Sequence, residues 1–247
     1  MSLDPDLRVS ISTAPWAEAA LPHALELLAD AAAPAVQLFG DEGRGHLDLA
    51  RWIDHQAAID GVVVAVRRGG LRVQSLEIGR SCCDIPPGKG GDAIAVARLE
   101  VAIEIAVRTA APLICLCATG LGLRRDPPPD ENARAAQAAL LVQMCRAAGA
   151  AGIRLGLAAA EPDASQPRLA KVWFSPPEHP AGIAGECAHV QFLNEAALDW
   201  EAAAAWFADQ CQRWPRLSAS VIGTSPAAVL CERARHLALR AVQNRDR

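Results

Sequence analysis

Short apolar runs alternate with helical stretches along almost the whole chain, and this alternation limits the folds open to it. Strand candidates fall at residues 8–13, 35–39, 71–78, 112–117, 153–157, 171–174, 189–193 and 217–222. Helix candidates lie between most of them. Leu21, Leu25 and Leu28 recur at helical spacing over 21–31, and Leu49, Trp52 and Ile53 share one side over 46–58. Val96, Leu99, Ile103 and Val107 mark a strong helix over 92–109. Asp130 caps the next, through residue 147, and two more are expected over 200–214 and 225–242. Residues 62–78 admit two readings. The run 62–66, the Arg67-Arg68-Gly69-Gly70 turn and the run 71–78 fit a β-hairpin. The same residues fit a helix through Arg68, a glycine stop and one strand. Local sequence slightly favours the hairpin, and the repeating pattern favours the helix.

Regular strand–helix alternation calls for a parallel sheet with helices outside it. Eight units close into a (β/α)₈ barrel more readily than they form an open sheet, and 247 residues suit a fold that typically takes about 250. About a dozen residues, rich in Pro and Gly or Ala, separate the fifth strand from the sixth and the sixth from the seventh. Helices around the sixth strand are therefore expected to be reduced or missing. No composition shift marks a boundary, so residues 1–247 read as a single domain.

Composition narrows the function classes. Hydrophobic residues make up 51% and charged residues 21%, ordinary globular usage that argues against disorder. The net charge is −4 with no basic stripe, so no nucleic-acid partner is expected. The longest uncharged apolar stretches, 109–123 and 217–231, fall short of the roughly 20 residues of a membrane span and contain Gly and Pro. The start, Met1-Ser2-Leu3-Asp4, shows no basic or apolar leader. Eight cysteines are scattered without a C-x-x-C pair, which reads as free thiols in a cytoplasmic protein with no membrane association.

Three stretches carry a family resemblance. A long helix feeds a buried strand over 93–117, and a second helix leads to Ala148-Gly-Ala-Ala-Gly-Ile-Arg-Leu-Gly-Leu157. Leu198-Asp199-Trp200 then opens a helix that precedes the last strand and a closing helix. In these patterns the chain resembles the xylose-isomerase-like TIM barrels, which include sugar phosphate isomerases and epimerases and type-2 AP endonucleases. The resemblance implies an ion such as Mn²⁺ or Mg²⁺ held by Glu, Asp, His and Glu at the C-terminal ends of strands five to eight. Such an ion would clamp substrate oxygens and stabilise an enediolate while the two glutamates move protons. Those ligand positions fall at Ala158, near Ser175, at Gln191 and near Ser220. Alanine has no donor atom, and serine and glutamine are poor ligands for these ions. The expectation is a divergent member without the family metal and without another cofactor.

Other residues offer chemistry. Arg80 and Asp84, in Arg80-Ser-Cys-Cys-Asp84 after a strand, are expected at the catalytic rim. With Gln191, Asn194 and Ser220 they form a candidate set for binding a small ligand. Glu161 and His179 are the best metal-free acid/base pair, and Glu178 and Glu186 lie near enough for a relocated metal site. Cys115 and Cys117, two apart on a strand, read as small packing residues, and residues 87–92 as a loop ending in an Asp cap. His189 reads as structural, and His23, His46, His55 and His236 as non-catalytic residues on helices or their starts. Trp200, Trp206 and Trp214 read as packing against the barrel. Together these observations lead to an isomerase/epimerase-like protein that binds a polyol, sugar or keto acid with little turnover of the family kind. The alternatives are an active isomerase using Glu161 and His179, and a non-catalytic interaction protein.

Overall fold

Most strands in this chain set apolar side chains toward the helices, and the sheet they form closes on itself. The structure, a computed structural model, describes residues 8–41, 43–79, 91–116, 131–158, 169–174, 187–193, 198–214 and 216–243. Its strands are β1 (Val9–Ser12), β2 (Val36–Asp41), β3 (Arg44–Gly45), β4 (Val73–Ile78), β5 (Leu113–Leu116), β6 (Arg154–Ala158), β7 (Leu169–Phe174), β8 (Cys187–Leu193) and β9 (Ser218–Ile222). The spatial order is β1-β9-β8-β7-β6-β5-β4-β2, and β1 also pairs with β2. That last pairing closes an eight-stranded barrel, with β3 a short antiparallel spur on β2. The helices are α1 (Leu21–Asp30), α2 (Leu49–Trp52), α3 (Gln56–Gly69), α4 (Gly91–Thr109), α5 (Glu131–Ala150), α6 (Trp200–Arg213) and α7 (Ala227–Gln243).

The expected α/β barrel is therefore present, with one difference in strand direction. Every pairing between β1, β2, β4, β5, β6, β8 and β9 is parallel, but β7 is antiparallel to both β6 and β8. A parallel neighbour needs a crossover of a dozen or more residues, usually helical, whereas an antiparallel one does not. Residues 159–168 and 175–186, which flank β7 in sequence, are short and interrupted by Pro, with Gly also in the second, which disfavours two full helical crossovers. Reversing one strand removes the need for either.

Strand alternation sorts the side chains. Ile11, Leu38, Leu76, Ile114, Val190 and Val221 are buried on the outer face, against the helices. Phe192 on β8 meets Trp200, Trp206 and Phe207 of α6 at ring-centroid distances of 6.3, 6.1 and 6.0 Å. The tryptophans of this helix thus pack against the barrel as expected. The other face, turned to the barrel interior, carries small and polar residues that are also buried: Ser10, Ser12, Gln37, Ser75, Glu77, His189, Gln191, Ser218 and Ser220. Barrels of this type are usually filled by branched apolar side chains, so a polar interior needs its own account.

The ambiguity at 62–78 resolves as helix plus strand. Ile59, Val62, Val63 and Val66 are buried at helical spacing, and this burial overrides the strand preference of a β-branched run. Gly70 then ends α3 at φ +63, a conformation that favours glycine. The single helix expected over 46–58 is instead two, α2 and the start of α3. His46 lies on neither. The chain runs extended through Leu47, whose Cβ passes so close to Gly40 that a Cβ on that glycine would sit 2.5 Å away. Asp48 then caps α2 by accepting from the Arg51 amide.

Phe192 anchors the strand that carries His189 and Gln191. Phe192→Ala is expected to lower unfolding free energy by about 3–5 kcal/mol, read by urea titration, because a fully buried ring leaves a cavity.

Candidate active site within the barrel

Four strands bring their interior side chains to one network. The β8–β9 register sets His189 level with Ser218 and Gln191 level with Ser220. The imidazole of His189 bonds through Nδ1 to Ser218 Oγ at 2.8 Å and through Nε2 to Ser220 Oγ at 3.0 Å. The Gln37 amide nitrogen, from β2, also approaches Nε2 at 3.1 Å. An amide nitrogen only donates, so Nε2 accepts and the ring proton sits on Nδ1, where it donates to Ser218. Gln37 Oε1 in turn accepts from Gln191 Nε2 at 3.0 Å. The second Gln191 amide hydrogen goes to Glu77 Oε2, on β4, at 3.0 Å.

In the chain Ser218–His189–Gln37–Gln191–Glu77, the Gln37 amide donates to His189 and accepts from Gln191, while the Gln191 amide donates on both sides, to Gln37 and to Glu77. Burial is the first cause that lowers the His189 pKa, to about 3, and the Arg154 charge adds to it. The ring is neutral at physiological pH. Among the described residues, Gln191 Oε1 and Ser75 Oγ are interior atoms that are buried and have no hydrogen-bond partner. A buried acceptor without a partner costs about 1–3 kcal/mol. These two atoms are therefore the points of the interior best placed to take up a donor from a small molecule.

Near the ends of β1 and β2, His46 is buried and clamped rather than reactive. Thr13 Oγ1 accepts from the Phe39 amide at 3.0 Å and bonds His46 Nδ1 at 3.0 Å, leaving Nε2–H to donate to the Trp16 carbonyl at 3.0 Å. Burial lowers its pKa against the opposing effect of the backbone carbonyls. The ring ties the first two strands together.

Of the residues singled out from sequence, the structure brings Gln191 and Ser220 into the same network, with His189 bonded to Ser220 and linked to Gln191 through Gln37. Arg80, Asp84, Asn194, Glu161 and His179 lie outside the described residues, as do Ser175 and Cys117. Connectivity still bears on the strand ends that flank three of them. Residues 159–168, which include Glu161, join strand ends directed toward the C-terminal rim. Residues 175–186, which include Ser175 and His179, join strand ends directed away from it, because β7 is reversed. Sequence reasoning passed over Gln37 and Glu77. Each is a polar residue flanked by apolar ones on a strand, Val36-Gln-Leu38 and Leu76-Glu-Ile78, which is the signal of a side chain turned inward.

The described residues do not supply the acidic ligand set that the resemblance implies. Ala158 ends β6, Ser220 is bonded to His189, and Gln191 has both amide hydrogens engaged. Among the described residues no group of three or more His, Cys, Asp or Glu is placed to hold a metal ion.

No family model matches the chain, and no curated protein sequence matches it. Solved structures do. An L-ribulose 3-epimerase matches with a TM-score of 0.63 at 15% identity, over 97% of this chain and 96% of that one. A xylose isomerase-like TIM barrel protein from Mycobacterium smegmatis, in complex with magnesium, matches at 0.62 with 11% identity, over 96% and 97%. A D-psicose 3-epimerase from Clostridium cellulolyticum H10, with D-tagatose, matches at 0.56 with 10% identity, over 97% of each chain. The fold is that of the xylose-isomerase-like TIM barrels. Among the described residues, no helix is long and apolar enough to cross a membrane.

The buried neutral histidine sets an acid limit on stability. The unfolded chain binds a proton near pH 6.5 that folded His189 refuses until about pH 3. Its contribution is complete above pH 6.5 and is lost as pH falls through that window, amounting to about 2 kcal/mol by pH 5. His46 shifts in the same direction and adds to the slope. Melting temperature is expected to fall between pH 7.5 and 5, and His189→Gln is expected to flatten that fall.

Proposed function

We propose that the protein is a sugar phosphate isomerase/epimerase-like barrel that has lost the divalent-metal site. It binds a small polyol, sugar or keto acid at the C-terminal rim with little or no turnover of the family kind. One observation supports this most directly: the barrel interior is a hydrogen-bonding surface that ends in unpartnered polar atoms. Gln191 Oε1 and Ser75 Oγ are buried and open, in the same interior as the Glu77 carboxyl. Hydroxyl groups donate and accept, so a polyol satisfies such atoms where an apolar ligand would strand them. In this reading Arg80, Asp84 and Asn194 close over the ligand from the rim, with Gln191 and Ser220 beneath it.

The structural neighbours include sugar epimerases and a magnesium-bound barrel, and the described residues of this chain bring together no comparable acidic ligand set. Without an ion, an enediolate would lose its main electrostatic stabilisation. Ala158, Gln191 and Ser220 supply no replacement for the acidic and imidazole ligands. Binding can persist where turnover does not, because the amide and hydroxyl contacts require no metal.

The test combines metal content with ligand response. Elemental analysis is expected to show no stoichiometric divalent ion, and added Mn²⁺, Mg²⁺, Co²⁺ or Zn²⁺ is expected to leave the melting temperature unchanged. D-tagatose, sorbitol and pyruvate span the ligand class, and at least one is expected to give a saturable upward shift. By mass action a hundredfold excess over Kd raises stability by about 2.7 kcal/mol. Gln191→Leu is expected to abolish the shift, and ¹H NMR to show no epimerised product. A stoichiometric metal with turnover would overturn the reading. Turnover that resists chelator and disappears in Glu161→Gln or His179→Ala would establish a metal-free isomerase in its place.

A further inference from the structure

The opposite end of the barrel holds a cavity that the rim reading does not use. Its volume is about 470 Å³, within the range of small-molecule sites. It lies where α3 and α4 end and where β4, β6 and β9 begin. Four arginines line it, Arg67, Arg72, Arg108 and Arg154, and no Asp or Glu is among the described lining residues. Ser218, the partner of His189, forms part of its wall.

Helix geometry alone does not account for this charge. The C-terminal ends of α3 and α4 each carry about half a negative charge, which a basic residue in the last turn offsets. Arg67 and Arg108 occupy those turns. Arg108 is in addition paired with Asp60 at 2.7 Å and Glu104 at 3.1 Å, so its charge is compensated locally. Arg154 donates to the Arg216 carbonyl at 3.2 Å, and its charge reaches His189. Arg72 belongs to no helix, and neither Arg67 nor Arg72 has a side-chain partner among the described residues. Two exposed guanidinium groups thus border a cavity of ligand size without an acidic residue to neutralise them.

We propose that this cavity is an anion site for a phosphate group, free or carried by a small metabolite. Arg67 and Arg72 grip it from the mouth and Arg154 from the inner wall. A guanidinium presents paired N–H donors that match phosphate oxygens, and charge-assisted bonds of this kind are about twice as strong as neutral ones. A doubly charged tetrahedral anion engages several such forks at once, which a single carboxylate does not. The site stands apart from the rim and does not depend on the polyol reading.

Melting temperature is measured against inorganic phosphate and against glycerol 3-phosphate, with sodium chloride at matched ionic strength as reference. A saturable rise above the chloride curve is expected. Equal apparent affinity for the two probes would assign the site to free phosphate, and tighter binding of glycerol 3-phosphate to a carried one. The double variant R67Q/R72Q is expected to bind at least about tenfold more weakly. Both side chains are solvent-exposed and Arg68 remains in the last turn of α3, so its melting temperature without ligand should stay close to the parent's. R51Q removes an exposed arginine on α2 and should bind as the parent does. Gln191→Leu should also leave phosphate binding intact, which separates this site from the rim. No rise beyond chloride, or the same rise in R67Q/R72Q as in the parent, would overturn the proposal.

Discussion

A polar barrel interior can be buried only if its groups satisfy one another, and the rest of the structure is arranged around that requirement. Ser218, His189, Gln37, Gln191 and Glu77 come from four strands and form one hydrogen-bonded chain. Each group left without a partner would cost about 1–3 kcal/mol, a sizeable share of the stability of any domain. The chain therefore holds β2, β4, β8 and β9 in register from the inside. The driving force comes from the other face of the same strands, where Ile11, Leu38, Leu76, Val190 and Phe192 are buried beneath the helices. Apolar burial closes the barrel, and the polar network specifies how its strands align.

The reversal of β7 is the second constraint. It allows two short links to serve where two helical crossovers would otherwise be needed. It also changes which chain segments reach the rim. Residues after β6 and β8 leave strands directed toward it, and residues after β7 leave a strand directed away. A set of side chains drawn from the C-terminal ends of β6, β7, β8 and β9 is thus interrupted by topology at the second of those strands.

The two ends of the barrel differ in chemistry. Toward the rim the interior offers amide, hydroxyl and carboxyl groups. At the other end arginines outnumber acidic residues around a cavity. Ser218 belongs to both regions, since it lines the cavity and accepts from His189. The Arg154 charge helps keep that histidine neutral, so the electrostatics of the lower cavity act on the first member of the interior network.

Much of this was legible in the sequence. All eight barrel strands lie within two residues of where apolar runs and turn residues place them, because strand length and burial are local properties of the pattern. Gln191 and Ser220 could be singled out because a strand-end position without a metal ligand is visible in one dimension. Other features were not legible. The hairpin-or-helix question at 62–78 turned on whether Val62, Val63 and Val66 find a core to bury against, which neighbours distant in sequence supply. His46 reads as the start of a helix, yet its ring is held by Thr13 and Trp16, some thirty residues earlier. The direction of β7 leaves no trace in its composition, since an apolar strand reads alike whichever way it runs. The sequence by itself determined that strands and helices alternate and where the eight barrel strands fall. Only the tertiary structure decided strand direction, the closure of β1 on β2 and the joining of Gln37, Glu77, His189 and Gln191. These depend on partners far apart along the chain, and hydrogen bonding between them exists only once the barrel has closed.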